Sequence, residues 1–217
     1  MTIQQYQGAI FDLDGTLVDS MWVWKDIASN WLQMKGITCS TELSATLRDM
    51  TFCEASVYIK KMFSLRESEA EILSDWTDMV IDDYRNRIQL KTGVREFLKH
   101  LRQNGVKMVI ATSNFREACE AVLQSCGVSH FFSSILTADE IGSNKSSPVI
   151  YMKSADRMSL LPAQCMVFED ILIGIQTARA AGFLTTAVYD ESSRENRQQI
   201  EKAADYFITD FTQLLYR

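Results

Sequence analysis

The hydrophobic pattern predicts one short buried strand near the start of the chain and a long helical segment after it. Gly8–Phe11 is an apolar run that ends abruptly at Asp12, as expected of a strand inside a sheet. From about residue 20 to residue 90, apolar residues instead recur every three or four positions, which is typical of amphipathic helices. Two such faces comprise Trp24, Ile27, Ala28, Trp31 and Leu32, and Leu73, Trp76, Val80, Tyr84 and Ile88. No alternating pattern interrupts this stretch, so we expect a helical insertion.

From Gly93 onward, the pattern changes to strands that alternate with helices. The predicted strands are Val106–Ala111, Phe131–Leu136, Cys165–Phe168, Leu184–Val188 and Tyr206–Ile208, and the predicted helices are Val94–Gln103, Glu117–Ser125, one after Pro148, and Ile171–Ala181. Such alternation predicts parallel pairing with right-handed crossovers, hence an α/β fold with helices on both faces of the sheet. The first strand belongs to the same sheet. We therefore expect a core domain of residues 1–19 and 91–217 and an inserted domain of residues 20–90.

Composition and charge exclude several classes of protein. The chain has 217 residues, of which 47% are apolar, and its 22 Lys and Arg against 28 Asp and Glu give a net charge of −6. Proteins that bind nucleic acid or anionic membranes collect basic residues, and this chain has no basic run. No apolar run approaches the roughly 20 residues of a membrane span. The start, Met1–Gln7, lacks the features of a signal peptide. We expect a cytoplasmic protein with no nucleic-acid, membrane or obligate protein partner.

Reactive side chains follow three of the predicted strands. They are Asp12, Asp14 and Thr16 after the first strand, Thr112 after the second, Glu169 and Asp170 after a later one, and Lys145 in a loop. In open parallel sheets, ligands bind beyond the carboxyl ends of the strands, so these groups are expected at one edge. Carboxylates are ligands that suit Mg²⁺. A hydroxyl, a lysine and nearby helix N-termini suit a phosphate group.

The first of these segments carries a resemblance to a known family. Residues 11–20, FDLDGTLVDS, resemble the first motif of the haloacid-dehalogenase-like phosphohydrolases. By chance, D-x-D-G-T is expected in a chain of this length on the order of one time in a thousand. Thr112, Lys145 and the segment Val167–Asp170 follow in the order of the family's other motifs. The resemblance covers the whole chain and implies a Rossmann-like core with an inserted α-helical cap, as in subfamily IA with its C1 cap.

The resemblance also implies a mechanism and its catalytic residues. Asp12 would be the nucleophile that attacks phosphorus and forms an aspartyl-phosphate. Asp14 would protonate the leaving alcohol and then activate water. The hydroxyl of Thr16 would fix the loop and Asp14.

Binding residues are implied in the same way. Thr112, the backbone N–H of Ser113, and Lys145 would hold the oxygens of the phosphoryl group. Mg²⁺ would be held by Asp12, the carbonyl of Asp14, and Asp170, with Glu169 bound directly or through water. The substrate would be a small phosphorylated metabolite.

Four residues of the insertion are candidates for substrate specificity. Trp22 lies off the main face of its helix, which makes it a candidate for the cleft, with interior packing as the alternative. Trp24 occupies the place of a histidine in β-phosphoglucomutase-like members, and Thr51 and Phe52 lie where those members have an arginine. A mutase holds two phosphates at once, for which cations are suited. The missing cations favour a phosphatase and leave a sugar phosphomutase as the alternative.

Three other functions fit less well. A dehalogenase has no use for the acid–base Asp14. A phosphonate hydrolase is expected to carry a lysine in the cap and to lack the second acid of the first motif. A non-catalytic regulatory protein on this fold would have lost a motif residue, and none is missing here.

Overall fold

The central feature of the structure, a computed structural model, is a parallel sheet. The structure describes residues 6–48 and 50–215, and of Arg48 it describes the backbone alone. Within these residues, six strands form one sheet in the order β3-β2-β1-β4-β5-β6. The strands are β1 Gly8–Phe11, β2 Lys107–Thr112, β3 Ile135–Thr137, β4 Cys165–Glu169, β5 Leu184–Val188 and β6 Tyr206–Ile208. The chain builds outward from β1 to β3 and then returns to β4 on the other side of β1. The strand order therefore reverses between β1 and β4, where such folds bind ligands.

Helices connect the strands and cover both faces of the sheet. They are α5 Val94–Gln103, α6 Arg116–Ser125, α7 Ala138–Ile141, α8 Val149–Met158, α9 Leu172–Ala180 and α10 Arg197–Ala203. Successive side chains of a strand point to opposite faces. Ile10 of β1 packs with residues of α8 and α9, whereas Phe11 contacts Phe97 of α5. The predicted fold class is therefore confirmed.

An aromatic cluster fills the face of the sheet that α5 covers. The rings of Phe11 and Phe168, paired across β1 and β4, stack with their centroids 4.6 Å apart. Phe97 meets Phe168 edge to face at 5.5 Å, and Phe211 lies 5.3 Å from Phe97. All four rings are fully buried. Burying one such side chain contributes about 1.5–3 kcal/mol, so this cluster fixes the two strands that bear the carboxylates.

One predicted strand is wrong in its bounds. The sequence predicts a strand over Phe131–Leu136, but Ser129–Phe131 forms a 3-10 turn and the strand is Ile135–Thr137. Phe132, which follows this turn, packs against the sheet instead, with its ring centroid 6.0 Å from that of Phe11. The other predicted strands and helices agree with the structure to within one residue at each end. The short helices α7 and α10 were not predicted.

By its contacts, the chain divides into two compact units. One unit, here called the sheet unit, comprises the chain up to Asp19 and from Ile88 onward, and the helical unit is Ser20–Arg87. The predicted division is a core domain of residues 1–19 and 91–217 with an inserted domain of residues 20–90. This division stays a prediction. Residues 1–5, on which the expectation of no signal peptide largely rests, lie outside the described residues. No helix within the described ranges has the length and apolar character needed to cross a membrane.

The helical unit consists of α1 Met21–Met34, α2 Thr41–Arg48, α3 Phe52–Phe63 and α4 Glu69–Asn86. Its interior contains Trp31 and Trp76, whose rings meet edge to face at 6.5 Å.

Helices α3 and α4 both begin with reciprocal caps. At α4, the Ser68 hydroxyl accepts from the N–H of Glu71 at 3.2 Å, and the Glu71 carboxylate accepts from the N–H of Ser68 at 2.7 Å. Each cap satisfies backbone donors that the first helical turn leaves unpaired.

We predict that Ser68→Ala lowers the free energy of unfolding by about 1 kcal/mol, because the N–H of Glu71 loses its acceptor. Urea unfolding followed by circular dichroism measures the change. Ser74→Ala is the matched control, since Ser74 is exposed inside the same helix and alanine is the better helix former there. Equal losses in the two variants would contradict a capping role.

The charge of Glu71 gives a second prediction, on pH. The backbone N–H of Ser68, and then its hydroxyl, lower the pKa of the Glu71 carboxyl. A lowered pKa in the folded state adds stability above the unfolded value of about 4.3, and this stability is lost as pH falls through the folded value. The wild type should therefore exceed Glu71→Gln in urea midpoint at pH 7, and the gap should close by about pH 3. A gap that does not change with pH would contradict this assignment.

Candidate active site

Three buried carboxylates meet at the edge of the sheet where β1 and β4 end. Asp12 follows β1 directly, Glu169 is the last residue of β4, and Asp170 comes next. Phe11 lies opposite Phe168 in the parallel register, so the chains leave the sheet side by side. One oxygen of each carboxylate lies within 4.8 Å of the others, and the residues are 4%, 0% and 1% exposed. The structure thus brings together the three side chains that were predicted to hold the metal, those of Asp12, Glu169 and Asp170.

Lys145 places a cation among these carboxylates. It reaches the site from the loop between α7 and α8, and its Nζ donates to Oδ1 of Asp12 and, at 2.8 Å, to Oε2 of Glu169. Burial alone would lower the pKa of the Lys145 ammonium, but the charges of Asp12 and Glu169 outweigh burial and raise it. The side chain therefore stays charged and offsets part of the negative charge.

Tyr151 of α8 holds Glu169 from the other side. Its hydroxyl donates to Oε2 of Glu169 at 3.1 Å, the same oxygen that Lys145 contacts. Burial, opposed by Lys145, raises the pKa of Glu169 to about 7. Gly174 of α9 makes room for the pair, because a Cβ there would fall 2.8 Å from both the Glu169 carboxyl carbon and the Tyr151 hydroxyl. Glu169 is thereby fixed in one orientation.

Asp170 is the carboxylate with an unsatisfied oxygen. Its Oδ1 accepts from the Thr16 hydroxyl at 3.2 Å, whereas its buried Oδ2 has no hydrogen-bond donor within the described residues. Burial, and then the charges of Asp12 and Glu169, raise the pKa of Asp170 well above its usual value. An unpaired buried carboxylate oxygen is costly and needs a partner. A divalent cation bound among the three carboxylates would be such a partner, so the residues fit a metal of the Mg²⁺ type.

Asp14, the second aspartate of the first motif, is partly buried. It is held by Asn114, a residue to which the sequence analysis gave no role. The side-chain amide of Asn114 donates to Oδ2 of Asp14 at 2.9 Å. The N–H of Asn114 in turn donates to the Thr112 hydroxyl at 3.0 Å. Thr112 is buried and Ser113 is exposed. The loop after β2 therefore joins the loop after β1, while the predicted roles of Thr112, Ser113 and Thr16 stay predictions.

Gly15 is required where the two loops after β1 and β4 approach each other. Its backbone has φ +76°, in the left-handed region that glycine favours. A Cβ at this position would lie 2.9 Å from the carboxyl carbon of Asp170. Both the backbone conformation and the close approach of Asp170 exclude a side chain here.

The four specificity candidates lie in the helical unit, where most of them take part in packing. Trp24 donates from its indole N–H to the Tyr84 hydroxyl at 3.0 Å, and its ring lies 5.5 Å from that of Phe52. Thr51 is the N-cap of α3. Trp24, Thr51 and Phe52 all line one cavity of about 260 Å³. Trp22 is not among the residues that line it; instead its ring lies 4.7 Å below the guanidinium of Arg87. Their effect on specificity stays a prediction.

Sequence reasoning missed Tyr151, Asn114 and Gly174 as parts of the site. Asn114 had a signal, since it follows Thr112 and Ser113 at a strand end. Tyr151 and Gly174 had none, because their roles depend on the rotation of α8 and α9 against the sheet.

With this geometry in place, comparison with known proteins identifies the family. The family described as haloacid dehalogenase-like hydrolase matches residues 9–188. The chain belongs to this family. The match and the phosphatases among the relatives confirm the predicted enzyme class, a phosphohydrolase of this family.

Individual relatives are distant but extend over most of the chain. Fructose-1-phosphate phosphatase YqaB of Escherichia coli is 27% identical over 183 residues, which are 82% of this chain and 94% of the relative. A bifunctional riboflavin kinase/FMN phosphatase of Arabidopsis thaliana is 29% identical over 180 residues, 82% of this chain, but the chain spans only 47% of that protein. The crystal structure of CbbY from Rhodobacter sphaeroides in complex with phosphate has a TM-score of 0.77 at 20% identity, covering 96% of each chain. This last likeness supports the fold alone.

We predict that Gly15→Ala destabilises the protein more than Gly105→Ala does. Both glycines have a positive φ, +76° and +73°, but only Gly15 has atoms within 4 Å of the added Cβ. Gly105→Ala should cost about 1 kcal/mol for the left-handed backbone, and Gly15→Ala about 1–3 kcal/mol more for the clash with Asp170. Urea unfolding of the two variants measures the difference, and equal losses would show that Asp170 gives way without strain.

Proposed function

We propose that this protein is a Mg²⁺-dependent phosphatase that hydrolyses a small phosphate monoester through a phosphorylated Asp12. The observation that carries the proposal is the buried Asp12 carboxylate at the switch point of the sheet, with the Lys145 ammonium on one of its oxygens and two further carboxylates beside it. A nucleophilic carboxylate needs a cationic surrounding before a phosphate can approach it. Lys145 supplies part of that charge.

In the first step, a carboxylate oxygen of Asp12 forms a bond to phosphorus while the bond from phosphorus to the alcohol oxygen breaks. Asp14 gives its proton to the departing alcohol. The hydrogen bond from Asn114 orients the Asp14 carboxyl group for this transfer. Lys145, the Thr112 hydroxyl and the backbone N–H of Ser113 hold the oxygens of the phosphoryl group in transit.

In the second step, water attacks the phosphorus and the bond to Asp12 breaks. Asp14, now ionised, accepts a proton from that water, so the enzyme returns to its initial protonation state. The products are the free alcohol and inorganic phosphate. One carboxyl group thus acts first as acid and then as base, and in the second role it needs access to the incoming water. Asp14 is partly exposed, unlike Asp12, and this exposure suits the role.

The metal would be held by Asp12, Glu169 and Asp170, with the backbone carbonyl of Asp14. When bound, Mg²⁺ neutralises phosphate charge and assists in-line displacement. The unpaired Oδ2 of Asp170 supports this assignment. Because Lys145 and Tyr151 both contact Oε2 of Glu169, that oxygen is already committed to the protein. Within the described residues, Oε1 of Glu169 accepts only a long contact from the N–H of Ile171, at 3.5 Å, so Glu169 would contribute through that oxygen, directly or through water.

The relatives and the site support a proposal for the substrate class. YqaB acts on fructose 1-phosphate by its name, and the Arabidopsis protein includes an FMN phosphatase. Both substrates are phosphate monoesters of small hydroxylated molecules, and we assign the same class to this chain. A sugar phosphomutase is the alternative, and it differs in its product. It yields an isomeric sugar phosphate instead of free phosphate.

The location of the protein in the cytoplasm stays a prediction.

We predict that the purified protein with Mg²⁺ releases inorganic phosphate from members of a panel of phosphorylated metabolites, and that Asp12→Asn lowers kcat at least about a thousandfold. Chelation of the metal should abolish release, and added Mg²⁺ should restore it. Asp156→Asn, a change of an exposed aspartate in α8, is the matched control and should keep wild-type activity. Equal activity of Asp12→Asn and wild type would refute the nucleophile, and isomerised sugar phosphate formed faster than free phosphate would favour the mutase.

A further inference from the structure

A second lysine, the partly buried Lys91, contacts the loop that carries the first motif. Its Nζ donates to the carbonyl of Gly15 at 2.6 Å, to the carbonyl of Tyr189 at 2.6 Å and to Oδ2 of Asp190 at 3.0 Å. An ammonium has three N–H donors, so all of them are used. The side chain is 14% exposed. Such a complete set of partners on a shielded lysine indicates a fixed position for the ammonium.

The backbone holds Lys91 against the same loop. Its N–H donates to the carbonyl of Leu17 at 2.9 Å, and Leu90 forms an antiparallel bridge with Val18. Asp190, the ionic partner of Lys91, is also held in place, because its other carboxylate oxygen accepts from the N–H of Ser192 at 2.9 Å. Lys91 therefore ties the loop after β1 to the chain that follows β5.

The contact falls on the residue that most needs restraint. Gly15 must be glycine because of its positive φ and the approach of Asp170. Glycine, however, also has the most freedom to change conformation, and here it lies between Asp14 and Thr16. A rotation of the peptide after Gly15 would displace both neighbours. A charged hydrogen bond to its carbonyl opposes that rotation and is stronger than a neutral one.

We propose that Lys91 is a positioning residue of the active site, which fixes the Gly15 carbonyl and thereby aims Asp14 at the leaving group. The role of Asp14 in this statement rests on the proposed function. Lys91 itself does not contact the reacting atoms. Its removal therefore leaves the contacts of Lys145 with Asp12 and Glu169 in place and loosens the acid–base residue.

Hydrogen exchange measures the loop without any need for turnover. The amides of Gly15, Leu17 and Val18 all donate within the segment Leu13–Val18, so they are protected in the wild type. In Lys91→Met, which keeps the length and loses the donors, we expect this segment to exchange about tenfold faster or more. Lys107→Met is the matched control, since Lys107 also donates to a carbonyl, that of Met158, at 2.6 Å, but at the start of β2. It should leave the segment unchanged.

The leaving group separates positioning from a general loss of folded protein. The ratio kcat/KM reports the steps up to transfer of phosphate to Asp12. An alkyl alkoxide needs a proton to depart, whereas p-nitrophenolate does not. Lys91→Met should therefore lower kcat/KM for the best alkyl phosphate of the panel at least about tenfold more than for p-nitrophenyl phosphate. Lys107→Met should change the two substrates alike.

Each outcome decides the proposal. Unchanged exchange in Leu13–Val18, or equal losses with the two substrates, overturns it. If the wild type releases no phosphate, the proposed function fails, while the exchange result still decides whether Lys91 holds the loop. Should Lys91→Met not fold, Asp190→Asn replaces it, because it keeps the lysine and removes its ionic partner. A smaller effect in the same direction supports the proposal, and wild-type behaviour refutes it.

Discussion

Three carboxylates are buried within 4.8 Å of one another where β1 and β4 end, and the rest of the site is arranged around the repulsion among them. Burying one unpaired charge costs several kcal/mol, and like charges at this distance raise the cost further. Lys145 offsets it at Asp12 and Glu169 through two direct contacts. Among the described residues, Asp170 accepts a hydrogen bond from the Thr16 hydroxyl alone. The negative charge of Asp170 is therefore compensated less than the charges of Asp12 and Glu169. A cation bound among the three carboxylates would compensate it.

The same constraint explains residues that have no chemistry of their own. Gly15 and Gly174 leave space for Asp170 and Glu169, because a Cβ at either position would overlap a carboxylate. The stacked rings of Phe11 and Phe168 hold the two strands in register directly beneath these acids. Buried like charges repel one another, and the apolar packing beneath them holds the two strands together against that repulsion. The core and the site thus depend on each other through the same two strands.

The sequence was sufficient for those features that depend on order along the chain. An apolar run that ends in Asp12 predicts a strand and its polar end, and Glu169 follows by the same reasoning. Contacts such as that of Thr16 with Asp170, 154 residues apart, depend on side-chain direction, which hydrophobic periodicity does not encode. The contacts of Lys91 and Asn114 with the loop after β1 could not be predicted from the sequence for the same reason. The strand predicted from Phe131 begins only at Ile135, because aromatic residues occur in strands but also pack well from turns.

In the helical unit, two of the side chains predicted to set specificity also take part in packing. Trp24 and Phe52 line the cavity of about 260 Å³, and they also pack against Tyr84 and Trp76. Truncating either one would remove buried area and enlarge the cavity together. A loss of activity after such a change thus reports lost packing as much as a lost substrate contact. A gain of activity toward a different phosphate ester has no such second cause, so it is the gain that identifies a specificity residue.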